Sequence, residues 1–598
     1  MKADAQGFSY LKRDRQYQIP FFQRNYVWDE DNWEEFYDSI IDSINTNKSA
    51  FLGSIIIKDT GRKNWDKAIF SIIDGQQRLT TISLFIKAFI DENIESSDRN
   101  FNDYQNTLFI YENHTSDQKQ LKIVHSKLDK EEFDKCINSE YTNNYTTNNN
   151  DSKIFQCYKY FRNRLQNDNE NTVNKMKELI LNSENDLYKV FVLIEIDKDE
   201  NEQKIFDTVN SSGVKLTSAD IIKNAIFERL MNEIQDEQKV IDLYNNTWSK
   251  TFISDDATVK YWESEAISGR IKRERLEVLL HSIAVIKKFY NPQKNKIEDL
   301  PNEYKNHIAN MNSQDMVEFV NEICDFAELY RKKFVDFDTG HSFSMNERGE
   351  VFHKILDMFD TSAFNPYILN LYYKNKNEQI SDDKLLQILL KLEKYIARSL
   401  ICGTGTNKNF NKINFELIND YSDNKVEELL ESANINDSIF KDSMLKIGNN
   451  KYGRIILYMI MLERLKNEDG MGRVESLQFT FSLEHIMPQS YLEHWSLEKL
   501  PLDRKDNDGE PLSIEDLNNY RAKAIYQIGN MTLLKQKLNS KVSNNNFTIK
   551  LNGENNKKGI KAFQQLSICT EIQDKIIWNE DEIEERTRNL TNEILKIW

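Results

Sequence analysis

The sequence predicts a mostly helical α+β protein. Long segments carry apolar residues at helical spacing, most clearly 275–290 and 385–400. Only a few short apolar runs are typical of buried strands, among them 51–57 and 187–196. These two observations together favour a helical majority with a small sheet.

The length suggests several domains. The chain has 598 residues, and at roughly 150 residues per domain that suggests about four units, or three with insertions. Changes in pattern along the chain predict three parts: residues 1–230 with a helical insertion, residues 231–440 as a helical linker or recognition region, and residues 441–598.

Composition excludes several classes. The net charge of −17 excludes a uniformly basic nucleic-acid coat, although a local basic groove stays compatible with it. The five cysteines form no CxxC pair, which disfavours a zinc ribbon or a disulfide framework and fits a reducing compartment. The longest apolar run, residues 455–462, is too short to span a bilayer, and the first residues lack a signal-peptide core. We therefore expect a cytoplasmic protein without a membrane partner.

The first part contains a strand followed at once by a polar turn and a helix. Asp29 to Asp31 can cap a helix with apolar residues at helical spacing. Residues 51–57 and 69–73 read as buried strands, and residues 79–90 as a helix. Between the last two lies the polar cluster Asp74-Gly75-Gln76-Gln77-Arg78.

The remainder of the chain contains fewer distinctive sequence patterns. Residues 202–209 read as helical, and Thr217 or Ser218 caps a helix that runs through Leu230. Residues 231–440 are helical by periodicity and carry no recognisable chemistry. In the last part, residues 480–486 predict a strand and residues 526–528 a second, short one.

The polar turn at residues 74–78 has the composition of an anion site. A turn that opens a helix exposes unpaired backbone N–H groups at the positive end of the dipole. Gly75 allows a ligand to approach the backbone, and Arg78 can clamp phosphate oxygens. Asp74 can hold a metal ion or orient water, and Gln76 or Gln77 can orient water. The plain alternative is an aspartate cap with a solvent-facing arginine.

Two other polar segments accompany this turn. Gln23 and Arg24 stand between aromatic residues in the segment 19–28, and the segment 210–220 forms a second polar turn before a helix. The plain alternatives are an amphipathic edge strand and an ordinary capped helix.

Four ordered motifs carry a family resemblance: FQRNYVW, FLGSIII, DGQQRLTT and FDTVNSSGVKLTSADIIKNAIF. They resemble the N-terminal domain of GmrSD-type restriction proteins, which has a ParB/sulfiredoxin-like core. The resemblance implies nucleoside triphosphate binding and hydrolysis, with GTP, UTP and ATP all open. By position it assigns the nucleotide site to Gln23, Arg24, Asp74, Gly75, Gln76, Gln77 and Arg78. It also matches, without assigned roles, Asn210, Gly213, Lys215, Asp220 and Asn224.

The last part contains a second constellation. Glu484 and His485 follow an apolar strand, and Asn530 and Asn539 come later. A histidine can activate water, and a carboxylate and an amide oxygen suit a hard divalent cation. Adjacent strand residues point to opposite faces, so Glu484 and His485 can share a site only if the strand ends or bends there. By spacing alone, such a pair is more often structural.

This pattern is similar to an HNH, or ββα-metal, nuclease in the form carried by the GmrSD C-terminal domain. The resemblance implies that His485 is the general base and that Glu484 and Asn539 hold Mg²⁺ or Mn²⁺. It assigns to Asn530 the bracing of the histidine loop. Nine lysines and arginines and one acid lie between Arg521 and Lys561, so we expect a basic stripe for DNA phosphates.

Together these features predict a modification-dependent (type IV) DNA endonuclease of anti-phage defence, whose nucleotide site regulates cutting of modified phage DNA. One alternative keeps the architecture but senses phosphorothioate DNA and nicks it. A further alternative is a non-catalytic, nucleotide-dependent DNA-binding regulator. Two cuts would need two HNH sites, so a homodimer is attractive on geometry alone.

Overall fold

The chain folds into two compact units, residues 1–244 and residues 245–598. The computed structural model describes most of the chain. The described residues are 2–46, 48–95, 97–111, 119–138, 151–182, 188–197, 217–234, 236–268, 271–405, 407–418, 423–432, 435–466, 476–506, 508–535, 544–554, 557–563 and 566–598.

The first unit is built on a six-stranded mixed sheet of order β1-β8-β3-β4-β2-β7. Strand β3 pairs antiparallel with β4 and parallel with β8, and β4 pairs parallel with β2. A separate hairpin pairs β5 with β6. The strands are β1 Lys2–Gln6, β2 Arg15–Gln18, β3 Ser54–Asn64, β4 Lys67–Asp74, β5 Phe109–Tyr111, β6 Lys119–Leu121, β7 Ile123–Val124 and β8 Phe191–Ile196.

One buried helix forms the centre of this unit. Every residue of α2 from Gln76 to Ile90 is buried, which is why its sequence is apolar on more than one face. Its rings pack with those of α1 and α5 through Phe36, Phe85 and Phe161. The helices are α1 Glu30–Thr46, α2 Gln76–Asn93, α3 Phe101–Leu108, α4 Lys127–Ile137, α5 Lys153–Leu165, α6 Glu170–Leu181, α7 Ser218–Ile234 and α8 Glu237–Tyr244, with a 3-10 turn at Phe8–Lys12.

The second unit is mainly helical. A π-helical turn at Asn245–Ser249 opens it, and 3-10 turns lie at Ile297–Asp299, Met345–Glu347, Ile528–Asn530 and Ile560–Phe563. The helices are α9 Lys250–Phe252, α10 Asp256–Glu263, α11 Arg275–Ile286, α12 Leu300–Ile308, α13 Ser313–Lys333, α14 Arg348–Met358, α15 Asn365–Lys376, α16 Asp382–Ile401, α17 Asn407–Leu417, α18 Asp423–Ser432, α19 Asp437–Met444, α20 Asn450–Lys466, α21 Leu492–Trp495, α22 Ile514–Ala524, α23 Phe547–Asn552, α24 Ser567–Gln573 and α25 Glu580–Ile597.

The strands of the second unit form four two-stranded ladders, β9-β10, β11-β12, β13-β14 and β15-β16, within the described residues. Their bounds are β9 Glu265–Ser268, β10 Ile271–Glu274, β11 Ser342–Phe343, β12 Leu477–Gln478, β13 Phe481–His485, β14 Met531–Lys535, β15 Gly553–Glu554 and β16 Lys557–Lys558.

The predicted fold class is confirmed, since the chain is a mostly helical α+β protein. The predicted strand at residues 526–528 is wrong: a 3-10 turn occupies Ile528–Asn530, and the strand begins at Met531. The strand predicted at 51–57 begins later, at Ser54, because Gly53 adopts a left-handed φ of +101°. Residues 202–209 lie outside the described residues. The division into three parts stays a prediction.

No helix in the described part of the chain is long and apolar enough to cross a membrane.

A buried ion pair anchors α22 to α25. Arg521 and Glu580 are both fully buried and form a salt bridge. The Arg521 guanidinium also donates to the carbonyl oxygens of Trp495 and Leu500, each at 2.7 Å. The pair therefore ties the long loop after β13 to the last helix.

We expect Arg521→Ala to destabilise the second unit by about 3–5 kcal/mol, because the variant leaves Glu580 buried without a cation. The measurement is the free energy of unfolding from urea denaturation. Arg588→Ala, at an exposed position on α25, is the matched control and should change stability by at most about 0.5 kcal/mol. Equal losses in the two variants would contradict this interpretation.

Candidate functional site

The turn at residues 74–78 lies where β4 ends and α2 begins. Strand β4 ends at Asp74, and α2 begins at Gln76 with Gly75 as its N-cap. Gly75 has φ +86°, and a Cβ atom there would lie 2.8 Å from the Ser54 carbonyl oxygen. Only glycine therefore fits this turn without strain.

The two glutamines of the turn hold the segment that contains Gln23 and Arg24. The Gln77 side-chain oxygen accepts from the Val27 N–H at 2.8 Å, and its Nε2 donates to the Asn25 carbonyl at 2.9 Å. Gln76 Nε2 donates to the Arg24 carbonyl at 2.5 Å. In return, Gln23 Nε2 donates to the Ile72 carbonyl at 2.6 Å. Two motifs far apart in sequence are thereby locked into one surface.

Two acceptor oxygens at this turn have no hydrogen-bond partner. Asp74 Oδ2 and Gln76 Oε1 are both buried in this state. Burial raises the pKa of the Asp74 carboxyl, although Arg78 and Arg24 nearby act to lower it. Buried acceptors normally have partners, so these two oxygens are available to accept hydrogen bonds at the turn.

The third motif joins the same cluster through α7. Asp220 and Lys223 form an ion pair at 2.9 Å. With its amide oxygen and nitrogen assigned to suit their neighbours, Asn224 donates to the Phe22 carbonyl at 3.2 Å. Burial acts to raise the pKa of Asp220, but Lys223, Arg24 and Thr217 outweigh it and hold the pKa below its usual value. Asn210, Gly213 and Lys215 lie outside the described residues.

Arg78 is more buried than a solvent-facing arginine. It is 9% exposed, and its Nη1 donates to the Ser54 carbonyl at 3.0 Å. A Cβ atom at Gly53 would lie 2.4 Å from Arg78 Nε. Gly53, the glycine of FLGSIII, therefore leaves space for this guanidinium. The guanidinium stabilises the turn through its hydrogen bond to Ser54 and places a positive charge there.

The second site is built on the β13-β14 ladder and α23. Glu484 pairs with Thr532 and His485 with Met531 in antiparallel register, and α23 follows. The two strands and the following helix form a ββα arrangement in which α21 and α22 are inserted between the strands. His485 is the last residue of β13, which meets the condition that the strand end or bend there; a site shared by Glu484 and His485 stays a prediction.

Asn530 braces the chain immediately after His485. The side chain is fully buried. Its oxygen accepts from the Met487 N–H at 2.8 Å and from Trp578 Nε1 at 3.1 Å. Its Nδ2 donates to the carbonyls of Met487 at 2.8 Å and Ile525 at 2.9 Å. All four hydrogen-bonding positions of the amide are thus used to fix the histidine loop.

His485 presents a nitrogen without a partner. Its ring is 9% exposed, and Nε2 is buried with no hydrogen bond. Burial, together with the charge of Lys550, lowers the pKa of His485 to about 4. The imidazole is therefore neutral at neutral pH and can accept a proton, which is the requirement for a general base.

The Glu484 carboxylate contacts a buried lysine. Lys550 of α23 is fully buried and donates to Glu484 Oε1 at 2.5 Å and to the His485 carbonyl at 2.7 Å. No group of three acidic, histidine or cysteine side chains that could hold a metal occurs among the described residues, and Asn539 lies outside them. Mg²⁺ usually keeps several waters and needs only one or two carboxylates beside substrate phosphates. Glu484 already contacts the Lys550 ammonium through Oε1, so the assignment of a metal ion to Glu484 and Asn539 stays a prediction.

Family models match both units. The N-terminal domain of GmrSD restriction endonucleases matches residues 8–227, and their C-terminal domain matches residues 434–593. The chain belongs to the GmrSD restriction endonuclease family. No curated protein matches it. As a GmrSD restriction endonuclease it is a nuclease, and DNA is its partner.

The basic stripe expected of this GmrSD nuclease is smaller than its sequence suggested. Arg521 and Lys550 are fully buried in ion pairs with Glu580 and Glu484, so neither reaches a phosphate. Their charges were misassigned because a sequence count cannot distinguish an internal cation from an exposed one. Exposed cations of the stripe in the described residues include Lys523, Lys558 and Lys561.

Lys550 is the residue of this GmrSD site that sequence reasoning missed. It was counted as a DNA contact, whereas it fixes Glu484 and the end of β13. The only available signal was its position in the helix after the second strand.

We expect Gly75→Ala to destabilise the first unit by about 1–3 kcal/mol, since alanine must adopt a strained φ and meet the Ser54 carbonyl. Thermal unfolding of the full chain measures this. Gly448→Ala is the control, because a Cβ atom there meets nothing within 4 Å. An unchanged melting temperature for Gly75→Ala would show that the turn relaxes without cost.

Proposed function

We propose that the chain is a metal-dependent HNH endonuclease that cuts modified foreign DNA under the control of a nucleoside triphosphate. The observation that carries the proposal is the unpartnered, neutral His485 at the end of β13, inside a ββα arrangement braced by Asn530. In this reading His485 is the general base, and Asn530 is a positioning residue.

The chain's own residues account for the geometry of water activation. Neutral His485 accepts a proton from the attacking water through a ring nitrogen. Asn530 fixes the backbone of Met487, and Lys550 fixes the His485 carbonyl. These two contacts fix the backbone that carries the imidazole.

A divalent ion, Mg²⁺ or Mn²⁺, would be held by Glu484 and Asn539. When bound, it would supply Lewis acidity at the phosphate and charge for the leaving oxygen. Burial raises the pKa of the Glu484 carboxyl above its usual value and outweighs Lys550, which acts to lower that pKa.

The nucleotide site would lie at the turn of residues 74–78. Asp74 and Gln76 contribute acceptor oxygens without partners, and Arg24 and Arg78 contribute positive charge near Asp74. The N-terminus of α2 adds its dipole. GTP, UTP and ATP all fit this chemistry. We propose that the bound nucleotide gates cutting, because an ungated nuclease would damage the host genome.

The alternative trigger is phosphorothioate DNA, with nicking in place of double-strand cutting. The architecture would be the same. A homodimer would supply two HNH sites for a double-strand cut. The non-catalytic reading loses support, since the family is a nuclease family.

We expect His485→Ala to reduce cutting of modified DNA by about 10²–10⁴-fold, the usual contribution of a general base. The assay presents unmodified, glucosylated hydroxymethylcytosine and phosphorothioate DNA with Mg²⁺, with and without each nucleotide. His494→Ala is the matched control, because His494 is partly exposed and pairs only with Glu493. Cutting that survives in His485→Ala would place the active site elsewhere.

We expect Asp74→Asn to abolish nucleotide hydrolysis and to make cutting independent of nucleotide, while the fold is kept. Asparagine preserves the shape but removes the charge. Phosphate release measures hydrolysis, and the cleavage assay measures gating. Asp42→Asn, on the exposed side of α1, should change neither. Normal hydrolysis in Asp74→Asn would remove the aspartate from the proposed site.

A further inference from the structure

An exposed tyrosine lies against the histidine of the nuclease site. The Tyr526 ring lies 6.2 Å from the His485 ring, centroid to centroid, and the two rings meet in a T-shaped arrangement at 76°. Tyr526 is 39% exposed, whereas its chain neighbours Ile525 and Gln527 are 2% and 9% exposed. Its hydroxyl forms no hydrogen bond with another described residue. Tyr526 is therefore a free donor at the edge of the proposed catalytic residue.

The asparagine brace fixes this tyrosine relative to His485. Asn530 Nδ2 donates to the carbonyl of Ile525, the residue before Tyr526, at 2.9 Å, and to the carbonyl of Met487 at 2.8 Å. One amide therefore holds both the loop that follows the histidine and the turn that carries the tyrosine. A residue that positions a substrate needs such a fixed relation to the reacting group.

Two exposed lysines accompany Tyr526. The Tyr526 N–H donates to the carbonyl of Lys523 at 3.2 Å, and the Tyr526 carbonyl accepts from the N–H of Ile447, the residue after Lys446, at 2.8 Å. Lys523 and Lys446 are both exposed, and neither forms an ion pair with any residue that the structure describes. The backbone contacts of Tyr526 therefore place it beside segments whose cations are available to a ligand.

This combination suits the phosphates of a DNA strand. Lysine ammonium groups neutralise phosphates, and tyrosine hydroxyl groups donate to phosphate oxygens. Such contacts carry no sequence information, but they fix the register of the duplex on the protein. Register matters at a nuclease site because an error of about 1 Å in the position of the substrate can cost about 10²-fold in rate. Since DNA is the partner of this nuclease, it is the occupant that this surface fits.

We propose that the Tyr526 hydroxyl donates to a non-bridging oxygen of the DNA phosphate next to the scissile one, and that Lys523 and Lys446 neutralise phosphates beside it. Tyr526 is then a positioning residue, which sets where the scissile phosphate lies relative to His485. The inference rests on the proposed role of His485 as general base, and it adds a substrate contact that takes no part in the proton transfer.

The test is equilibrium binding of the full chain to a short unmodified duplex in EDTA, over a range of salt concentrations. Phosphate contacts are independent of sequence, so unmodified DNA is the appropriate probe. The variants are Tyr526→Phe, which keeps the ring and its contact with His485, and Lys523→Gln. The matched controls are Tyr373→Phe on α15, at a partly exposed ring, and Lys596→Gln in the exposed last turn of α25.

We expect Tyr526→Phe to weaken binding by roughly tenfold, because it removes one hydrogen bond to a charged group. The slope of log affinity against log salt should stay unchanged in this variant, since a neutral hydroxyl displaces no counterion. Lys523→Gln should reduce the magnitude of that slope by about 0.9, the value for one neutralised phosphate. Both controls should keep the wild-type affinity and slope.

A second measurement identifies the phosphate. The duplex that the wild type cuts in the assay for His485→Ala is prepared with one uncharged methylphosphonate next to the cut. We expect this linkage to slow cutting by the wild type. Tyr526→Phe should then add little to the loss, because both changes remove the same contact. A full additional loss in Tyr526→Phe would show that the hydroxyl contacts another group, and would overturn the assignment.

Three further results would contradict the inference. Wild-type affinity in Tyr526→Phe together with a wild-type salt slope in Lys523→Gln would place DNA elsewhere. Normal binding with slowed cutting in Tyr526→Phe would mean that the hydroxyl acts on His485 and does not contact DNA. No binding of the duplex by the wild type at low salt would exclude the phosphate contacts altogether. All three leave the proposed function standing, whereas cutting that survives in His485→Ala would overturn that function itself.

Discussion

The nuclease site depends on a small set of buried polar side chains that hold two short strands in place. Strands β13 and β14 have five residues each, and a two-stranded hairpin of this size is marginal by itself. Arg586 of α25 adds stabilising hydrogen bonds to this hairpin. Its guanidinium donates to the carbonyls of Gly529 at 2.6 Å and Met531 at 2.7 Å, on both sides of Asn530. The Asn530 amide can therefore brace the histidine loop only because α25 fixes the backbone that carries it.

A steric constraint explains why a glycine precedes Asn530. A Cβ atom at residue 529 would lie 2.1 Å from the Ile583 carbonyl, so α25 could not approach as closely past any larger residue. The Gly529 N–H then donates to Thr587 Oγ1 at 3.0 Å. Gly529 allows close contact with α25, and this contact places the Asn530 amide beside the histidine loop. The first unit contains a similar pair. Gly75 allows the tight turn, and Gln77 forms a hydrogen bond with the segment before α1.

The elements that sequence could predict are those in which one local pattern decides the outcome. The turn at residues 74–78 followed from a buried strand, a glycine and an apolar helix in immediate succession. The strand before His485 followed from its apolar run. The strand at residues 526–528 was mispredicted because alternation there is weak, while the close approach of α25 to Gly529 comes from residues about 50 positions later.

Long-range contacts explain the other differences. Lys550 and Arg521 looked like surface cations, and only the fold places Glu484 and Glu580 beside them.

A series of buried contacts connects α14 to the nuclease loop. Arg348 of α14 binds Glu393 of α16, and Glu393 accepts the Trp598 indole N–H at 2.7 Å. Trp598 directly follows α25, an 18-residue helix whose middle carries Arg586 and Thr587. A displacement of the Arg348–Glu393 pair would therefore meet the same rigid element that holds Gly529 and Asn530.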